Sequence, residues 1–182
     1  MKARPFLVIA GIAALSACGD PTNIDATFET VEDTLTVFAF TGTPINVPTA
    51  LNTLEHIVVR AEAGTNFDVV FDIDAGGQAL ILPPRVVSGI GNAAVTRSDV
   101  AYDALLLAPT TGYVENEQVP IDPGDVIVVR SVAGACVGRI NQFIYSKLAI
   151  DSVNLGNRTI HFRMRVNPNC GFRSFAPGIP RE

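Results

Sequence analysis

Residues 159–166 have the sequence Thr-Ile-His-Phe-Arg-Met-Arg-Val, in which apolar and polar side chains alternate without interruption. This alternation predicts a β-strand with one buried face, because successive side chains of a strand point to opposite sides of the sheet. The predicted inner face carries Ile160, Phe162, Met164 and Val166, and the outer face carries His161, Arg163 and Arg165. A register shift of one residue would bury two arginines, so we expect the pairing of this strand to be firmly set.

Six other segments are rich in β-branched, aromatic or alternating residues and are separated by Gly, Pro, Asn or Asp. They are 34–40, 56–61, 67–74, 79–82, 126–131 and 143–153. Short strands at this spacing predict an all-β domain, an antiparallel β-sandwich or a barrel-like fold. We expect at most one short helix, over residues 98–107 with Ser98 or Asp99 as its cap, and this segment is short enough to be a strand instead.

The first 17 residues have the pattern of an export signal. Lys2 and Arg4 precede an apolar run over residues 6–15, and two small residues then lead directly to Cys18. Ten apolar residues are too few to span a bilayer as a helix, whereas they suit the apolar region of a cleaved signal peptide. We therefore expect the chain to be exported.

Residues 15–18, Leu-Ser-Ala-Cys, resemble the lipobox of bacterial lipoproteins. The resemblance implies that the signal is removed before Cys18, that the Cys18 thiol carries lipid, and that this lipid is the contact with the membrane. Gly19 follows, with Asp20 one place later than the aspartate that keeps Gram-negative lipoproteins in the inner membrane. The resemblance thus favours the outer membrane, with the periplasmic and surface sides both open.

These observations divide the chain into four parts, and a single core is expected for its length. The parts are a removed signal peptide at 1–17, a lipidated tether at 18–26, one β domain at 27–175 and a tail at 176–182.

The net charge of −5 argues against nucleic acid as a partner. Positive charge is concentrated in residues 126–182, which hold eight basic residues against Asp151 and Glu182. Two interpretations stay open. Acidic and basic strands pair within one fold, or the basic part forms a surface for an anionic ligand or headgroup. For the second interpretation the candidate residues are His161, Arg163 and Arg165.

Two cysteines, Cys136 and Cys170, remain once Cys18 carries lipid. Because an exported domain folds in an oxidising compartment, we expect them to form a disulfide, the alternative being two buried free thiols. A structural zinc site is poorly supported, since these cysteines are far apart in sequence and the chain has only two histidines.

Residues 72–77, Asp-Ile-Asp-Ala-Gly-Gly, match the start of a calcium loop. Its twelfth position is Pro83 instead of a bidentate glutamate, so we expect no metal, and an acidic solvent face ending in a turn explains the pattern. Asp72 and Asp74 stay as weak candidate ligands in case neighbouring strands supply further carboxylates.

No catalytic residue is predicted. Residues 89–94 fit a Gly-rich dinucleotide pattern, but they do not open a helix in a βαβ unit, so we interpret them as a loop. His56 and His161 have no nucleophile elbow near them in sequence. We expect a non-enzymatic protein.

Short motifs between residues 100 and 166 occur in an order that resembles the HmuY-type haem-binding lipoproteins of Bacteroidetes. They are Tyr102-Asp103, Ala108-Pro109, Gly112-Tyr113, residues 128–131, residues 145–148, Ser152-Val153 and the strand at 159–166. The resemblance implies an all-β, surface-tethered protein. It does not extend to haem: the chain has no tryptophan, no axial histidine can be placed, and His161 and Met164 point to opposite faces.

The sequence therefore predicts a lipid-anchored β domain of the outer membrane with a binding or structural role. Its small-molecule or protein partner stays undetermined, and no cofactor is expected. The alternative is a carrier of haem or another small ligand. A third class, a hydrolase of envelope polymers, would need a cleft with a carboxylate pair or a histidine-containing site.

Overall fold

The computed structural model describes residues 25–64, 66–132, 134–138 and 143–180. The predicted signal peptide, Cys18 and the tether up to residue 24 lie outside these described residues. Ten strands form within them. In chain order they are β1 (Val31–Phe38), β2 (Ala50–Asn52), β3 (Ile57–Val59), β4 (Val69–Ile73), β5 (Ala79–Leu82), β6 (Ala94–Ser98), β7 (Val119–Ile121), β8 (Val126–Val132), β9 (Phe143–Asn154) and β10 (Thr159–Asn167).

The strands make two antiparallel five-stranded sheets, in the orders β1-β10-β9-β8-β6 and β3-β2-β4-β5-β7. A shared hydrophobic core joins the sheets, and in it the rings of Phe71 from β4 and Phe162 from β10 stack with centroids 5.0 Å apart. The prediction of an all-β, sandwich-like domain is confirmed. No helix in the described part of the chain is long and apolar enough to cross a membrane.

Strand β10 has the predicted faces. Its four apolar side chains are fully buried, whereas the histidine and both arginines are only half-buried on the outer face. Val31 of β1 pairs with Val166 of β10, and Phe38 pairs with Thr159. The register therefore places the inner face of β10 in the core along its whole length.

The helix prediction over 98–107 is wrong. Ser98 ends β6, and the segment after it makes a single turn, in which the Leu105 amide donates to the Ala101 carbonyl. Within the described residues, the α-helix is instead α1 (Pro84–Ser88), with proline in its first turn and Gly89 in the left-handed conformation after it. Because proline lacks an amide hydrogen, it suits a position where that group has no helical partner. Short 3-10 turns occur at Ala61–Ala63 and Gly134–Cys136.

The sandwich has two ends, which we name for use below. The tether end holds the start of β1, the start of β9 and the ends of β8 and β10, as their register shows. The far end holds the opposite ends of these strands and the turns at 122–125 and 154–158.

Cys136 and Cys170 lie at disulfide distance, with their sulfur atoms 1.99 Å apart, as predicted. Cys136 belongs to the 3-10 turn after β8, and Cys170 follows β10. Both residues are at the tether end. The bond therefore connects two chain segments that leave the same sheet there.

A third layer covers the outer face of the β1-β10-β9-β8-β6 sheet. Tyr102 and Leu105 from the loop after β6 pack with Phe175 against Tyr145 and Val128 of the sheet, in a second apolar cluster. The loop is held to the C-terminal segment by the Phe175 amide, which donates to the Leu106 carbonyl. This layer decides which outer-face residues reach solvent.

Candidate functional site

The three basic candidates on β10 each have a partner within the protein. The His161 Nδ1 atom lies 2.7 Å from the Thr36 hydroxyl. Arg163 pairs with Asp151 at 3.3 Å, and Arg165 pairs with Glu32 of β1 at 2.6 Å. The structure brings the three onto one sheet face, but their charge and hydrogen-bonding groups contact neighbouring strands instead of forming a free cationic surface.

Other ion pairs also join the acidic and basic parts of the chain. Arg158 lies 3.7 Å from Asp72, and Arg130 lies 3.4 Å from Glu115. The Arg130 guanidinium is also held between the rings of Tyr113 and Phe143, 4.6 and 4.5 Å from their centroids. These contacts favour the interpretation in which the two parts pair within one fold.

The two weak metal candidates have structural partners. Both Asp72 carboxylate oxygens accept from Thr41, one from its amide at 2.8 Å and one from its hydroxyl at 2.7 Å. Asp74 accepts from the Gln78 amide at 2.9 Å and so stabilises the turn between β4 and β5. Among the described residues, no group of three or more His, Cys, Asp and Glu side chains is placed to hold a metal ion.

The expected acidic solvent face of β4 is not observed, since Asp72 is buried and Asp68 half-buried. Asp68 accepts from the Thr53 amide at 2.8 Å and from the Thr53 hydroxyl at 2.6 Å. Burial nevertheless raises the pKa of the Asp68 carboxyl, because removing a charge from water outweighs these hydrogen bonds. Both aspartates therefore bind neighbouring segments of the chain through hydrogen bonds instead of facing solvent.

A buried lysine lies beneath the covering layer. The Lys147 ammonium donates to the Tyr102 carbonyl and, at 3.0 Å, to the Leu105 carbonyl, and it lies 4.2 Å from the Tyr102 ring centroid. Burial lowers the pKa of Lys147. The contacts fasten the loop to the sheet, so we assign Lys147 a structural role. The only sequence signal for it was a charge among the mainly apolar residues 143–150.

An apolar pocket of about 500 Å³ opens at the tether end. Its walls come from the segment before β1, the turn after β2, the disulfide turn and the residue after β10. The lining residues are Phe28, Glu29, Val31, Leu54, His56, Cys136 and Pro168. A wider depression, lined by Glu29, Ser174 and residues 176–180, adjoins it. Apolar concave sites with few polar groups are typical of small-ligand binding, so this pocket is the candidate functional site.

Asn169 fixes the chain segment that forms one wall of the pocket. Its side-chain oxygen accepts from the amides of Thr27 and Phe28 at 2.8 and 2.9 Å, and its side-chain nitrogen donates to the Phe28 carbonyl at 2.8 Å. Thr30 adds an amide hydrogen bond to the Gly178 carbonyl at 3.0 Å. The entry of the chain into the domain is thus a fixed feature, which sequence reasoning missed.

His56 is the one imidazole among the described residues of the pocket wall. Its backbone φ is 56°, in the left-handed region that favours glycine and asparagine. Burial lowers the pKa of His56 below its usual value of 6.5, and the charge of Asp33 opposes this only in part. The imidazole is therefore mainly neutral at pH 7, with a nitrogen able to accept a hydrogen bond or ligate a metal.

No protein-family model matches the sequence, and no curated protein matches it either. The geometry described above therefore carries the functional argument.

Proposed function

We propose that this chain is a non-enzymatic lipoprotein of the cell envelope, anchored in the outer membrane through lipid on Cys18, with the pocket at the tether end as its binding site. The single observation that carries the proposal is the position of this pocket. Its wall includes Phe28 and Val31, which lie directly at the point where the tether joins the β domain. The proposed anchor is thus only ten residues before Phe28 in sequence.

The chemistry of the pocket indicates an apolar ligand. Phe28 exposes 61% of its surface and Val31 41%, although burial of such side chains is favourable by about 25 cal/mol per Å² of apolar surface. A ligand that covers them recovers part of this free energy. Glu29 is the single carboxylate among the described lining residues, so charge plays a small part in recognition.

Detergent phase separation and dye binding test the two halves of the proposal. The full chain expressed in a Gram-negative bacterium should partition into the detergent phase, and the Cys18→Ser variant should stay in the aqueous phase.

An apolar fluorescent dye should bind the domain, and Phe28→Ala should weaken binding by roughly tenfold, the equivalent of about 1.4 kcal/mol. Leu155→Ala at the far end is the control, since Leu155 is similarly exposed at 57%. Equal effects of the two substitutions would refute the pocket assignment.

A second candidate function, haem binding, is favoured by one observation: a mainly neutral imidazole lies on the wall of an apolar pocket. Haem iron is commonly held by a histidine nitrogen, and an apolar wall suits the porphyrin. Met164 is fully buried in the core, so it cannot act as a second axial ligand without unfolding of the sheet. His56 is thus the one axial residue that the described pocket offers.

Haemin titration separates this candidate from the first. Haem binding predicts a Soret shift that is lost in His56→Asn, a substitution that tolerates the left-handed backbone conformation. His161→Asn is the matched control, because His161 lies on the outer sheet face, bonded to Thr36. Absence of a shift in the unsubstituted protein rejects haem.

A further inference from the structure

The tether end of the sandwich combines an apolar pocket with exposed apolar side chains. Exposed apolar side chains at the tether end surround the pocket. They are Phe28, Val31, Val137 and Ile179, each more than 40% exposed. Both ends carry exposed carboxylates, among them Glu29 and Glu55 at the tether end and Asp74 at the far end, and the far end also exposes Leu155. What marks the tether end is therefore the group of apolar side chains beside an apolar pocket, and such side chains favour contact with hydrocarbon.

The tether restricts which end can reach the membrane. Phe28 is ten residues from Cys18, and ten residues span at most about 36 Å when fully extended. Strand β9 has 12 residues, so the two ends of the sandwich are about 40 Å apart. An anchored Cys18 keeps the tether end close to the bilayer, and this raises its effective concentration there.

We infer that the tether end is a lipid-docking face: Phe28 and Val31 insert into the bilayer interface, and the pocket receives an acyl chain of a membrane lipid. This inference rests on the proposed lipid anchor and names the occupant of the proposed site. The anchor provides the affinity, and the apolar face sets the orientation, with the far end directed away from the membrane. Because the pocket wall is largely uncharged, docking needs no anionic lipid.

The absence of tryptophan from the chain makes a direct test possible. The single-tryptophan variants Phe28→Trp and Leu155→Trp place one fluorescent reporter at each end. The lipidated proteins are reconstituted into vesicles of phosphatidylethanolamine and phosphatidylcholine whose acyl chains are brominated, which quenches tryptophan within the hydrocarbon region. Side chains of interfacial segments reach roughly 5–10 Å into this region, so the reporter in Phe28→Trp should lose more than about half of its emission and shift to the blue. The reporter in Leu155→Trp should do neither.

The controls separate the failure of docking from the failure of anchoring. Flotation of the vesicles shows whether the protein is anchored: protein that does not float refutes the proposed function itself. If the Phe28→Trp protein floats but is quenched as weakly as the Leu155→Trp protein, the docking inference is overturned and the anchor still stands. A third variant, Ile179→Trp, guards against misfolding caused by the substitution at Phe28. Ile179 is 51% exposed beside the same face, and quenching of the reporter at its position is also expected.

Discussion

The hydrogen bonds of Asn169 give a sharp prediction about how the β domain holds the start of its own chain. Asn169→Ala removes three bonds to the segment before β1 and a fourth, at 2.8 Å, to the Asn167 side chain. Each such bond contributes about 0.5–1.5 kcal/mol net, and water can reach part of the released backbone, so we expect a loss of about 2–4 kcal/mol.

Urea unfolding followed by circular dichroism measures this loss, and hydrogen exchange locates it. The amides of Thr27 and Phe28 should lose protection in Asn169→Ala, because both donate to the removed oxygen. Asn169→Asp should be nearly as destabilised, since a carboxylate cannot donate to the Phe28 carbonyl. The control is Asn157→Ala in an exposed turn, with an expected change within about 0.5 kcal/mol. A loss below about 0.5 kcal/mol in Asn169→Ala, with unchanged exchange at Phe28, would refute the role of Asn169 in fixing this segment.

Three further substitutions test the packing. Replacing Cys136 and Cys170 together by alanine should lower stability by about 3.5–4 kcal/mol, since the bond closes a loop with a sequence separation of 34; an unchanged melting temperature in calorimetry would contradict this. Because burial raises the pKa of Asp68, its protonated carboxyl favours the folded state below pH 3.8, and this contribution is lost as the pH rises through the folded pKa. The urea midpoint of Asp68→Asn should therefore rise relative to that of the unsubstituted protein between about pH 4 and about pH 7, and a constant difference between the two midpoints would contradict this. Lys147→Ala leaves two carbonyls without their donor and a void, so we expect a loss of about 2–4 kcal/mol in urea unfolding; a loss below about 1 kcal/mol would show that burial of the charge offsets these contacts.

Sequence patterns predicted seven of the ten described strands and missed β2, β6 and β7. Strand β10 alternates over nearly its whole length because one face meets the core and the other carries polar side chains that pair with residues of neighbouring strands. Strands β2 and β7 have three residues each, and β6 has five. A period is hard to see in three to five residues. Strands β4 and β5 are of similar length, but the Gly76-Gly77 turn between them helped to mark them as strands.

Asp72 in β4 and Asp68 just before it show why alternation can mislead. A carboxylate at an outward position is expected to meet solvent, but Asp72 and Asp68 each meet a threonine from another segment of the chain. Such partners come from the tertiary fold and leave no mark in the local pattern. For the same reason, the partners of the basic outer face of β10 could not be predicted from the sequence.

The candidate site could not be predicted from the sequence, apart from the disulfide partner of its one described lining cysteine, Cys136. The even number of cysteines left after Cys18 predicted the Cys136–Cys170 pair, and the structure confirms it. The pocket itself is assembled from segments far apart in the chain: Asn169 binds a residue 142 positions earlier. An asparagine after a strand and an exposed phenylalanine are both common. Only the fold shows that Asn169 holds the segment that carries Phe28.

The most direct test of the whole account is the mass of the N-terminal peptide of protein extracted from outer membranes. If Cys18 is the lipid anchor, this peptide begins at Cys18 and carries the added mass of acyl chains on the sulfur atom. A peptide that still contains residues 1–17, or one that begins at Cys18 with an unmodified thiol, would contradict the lipid anchor and with it the orientation inferred for the β domain.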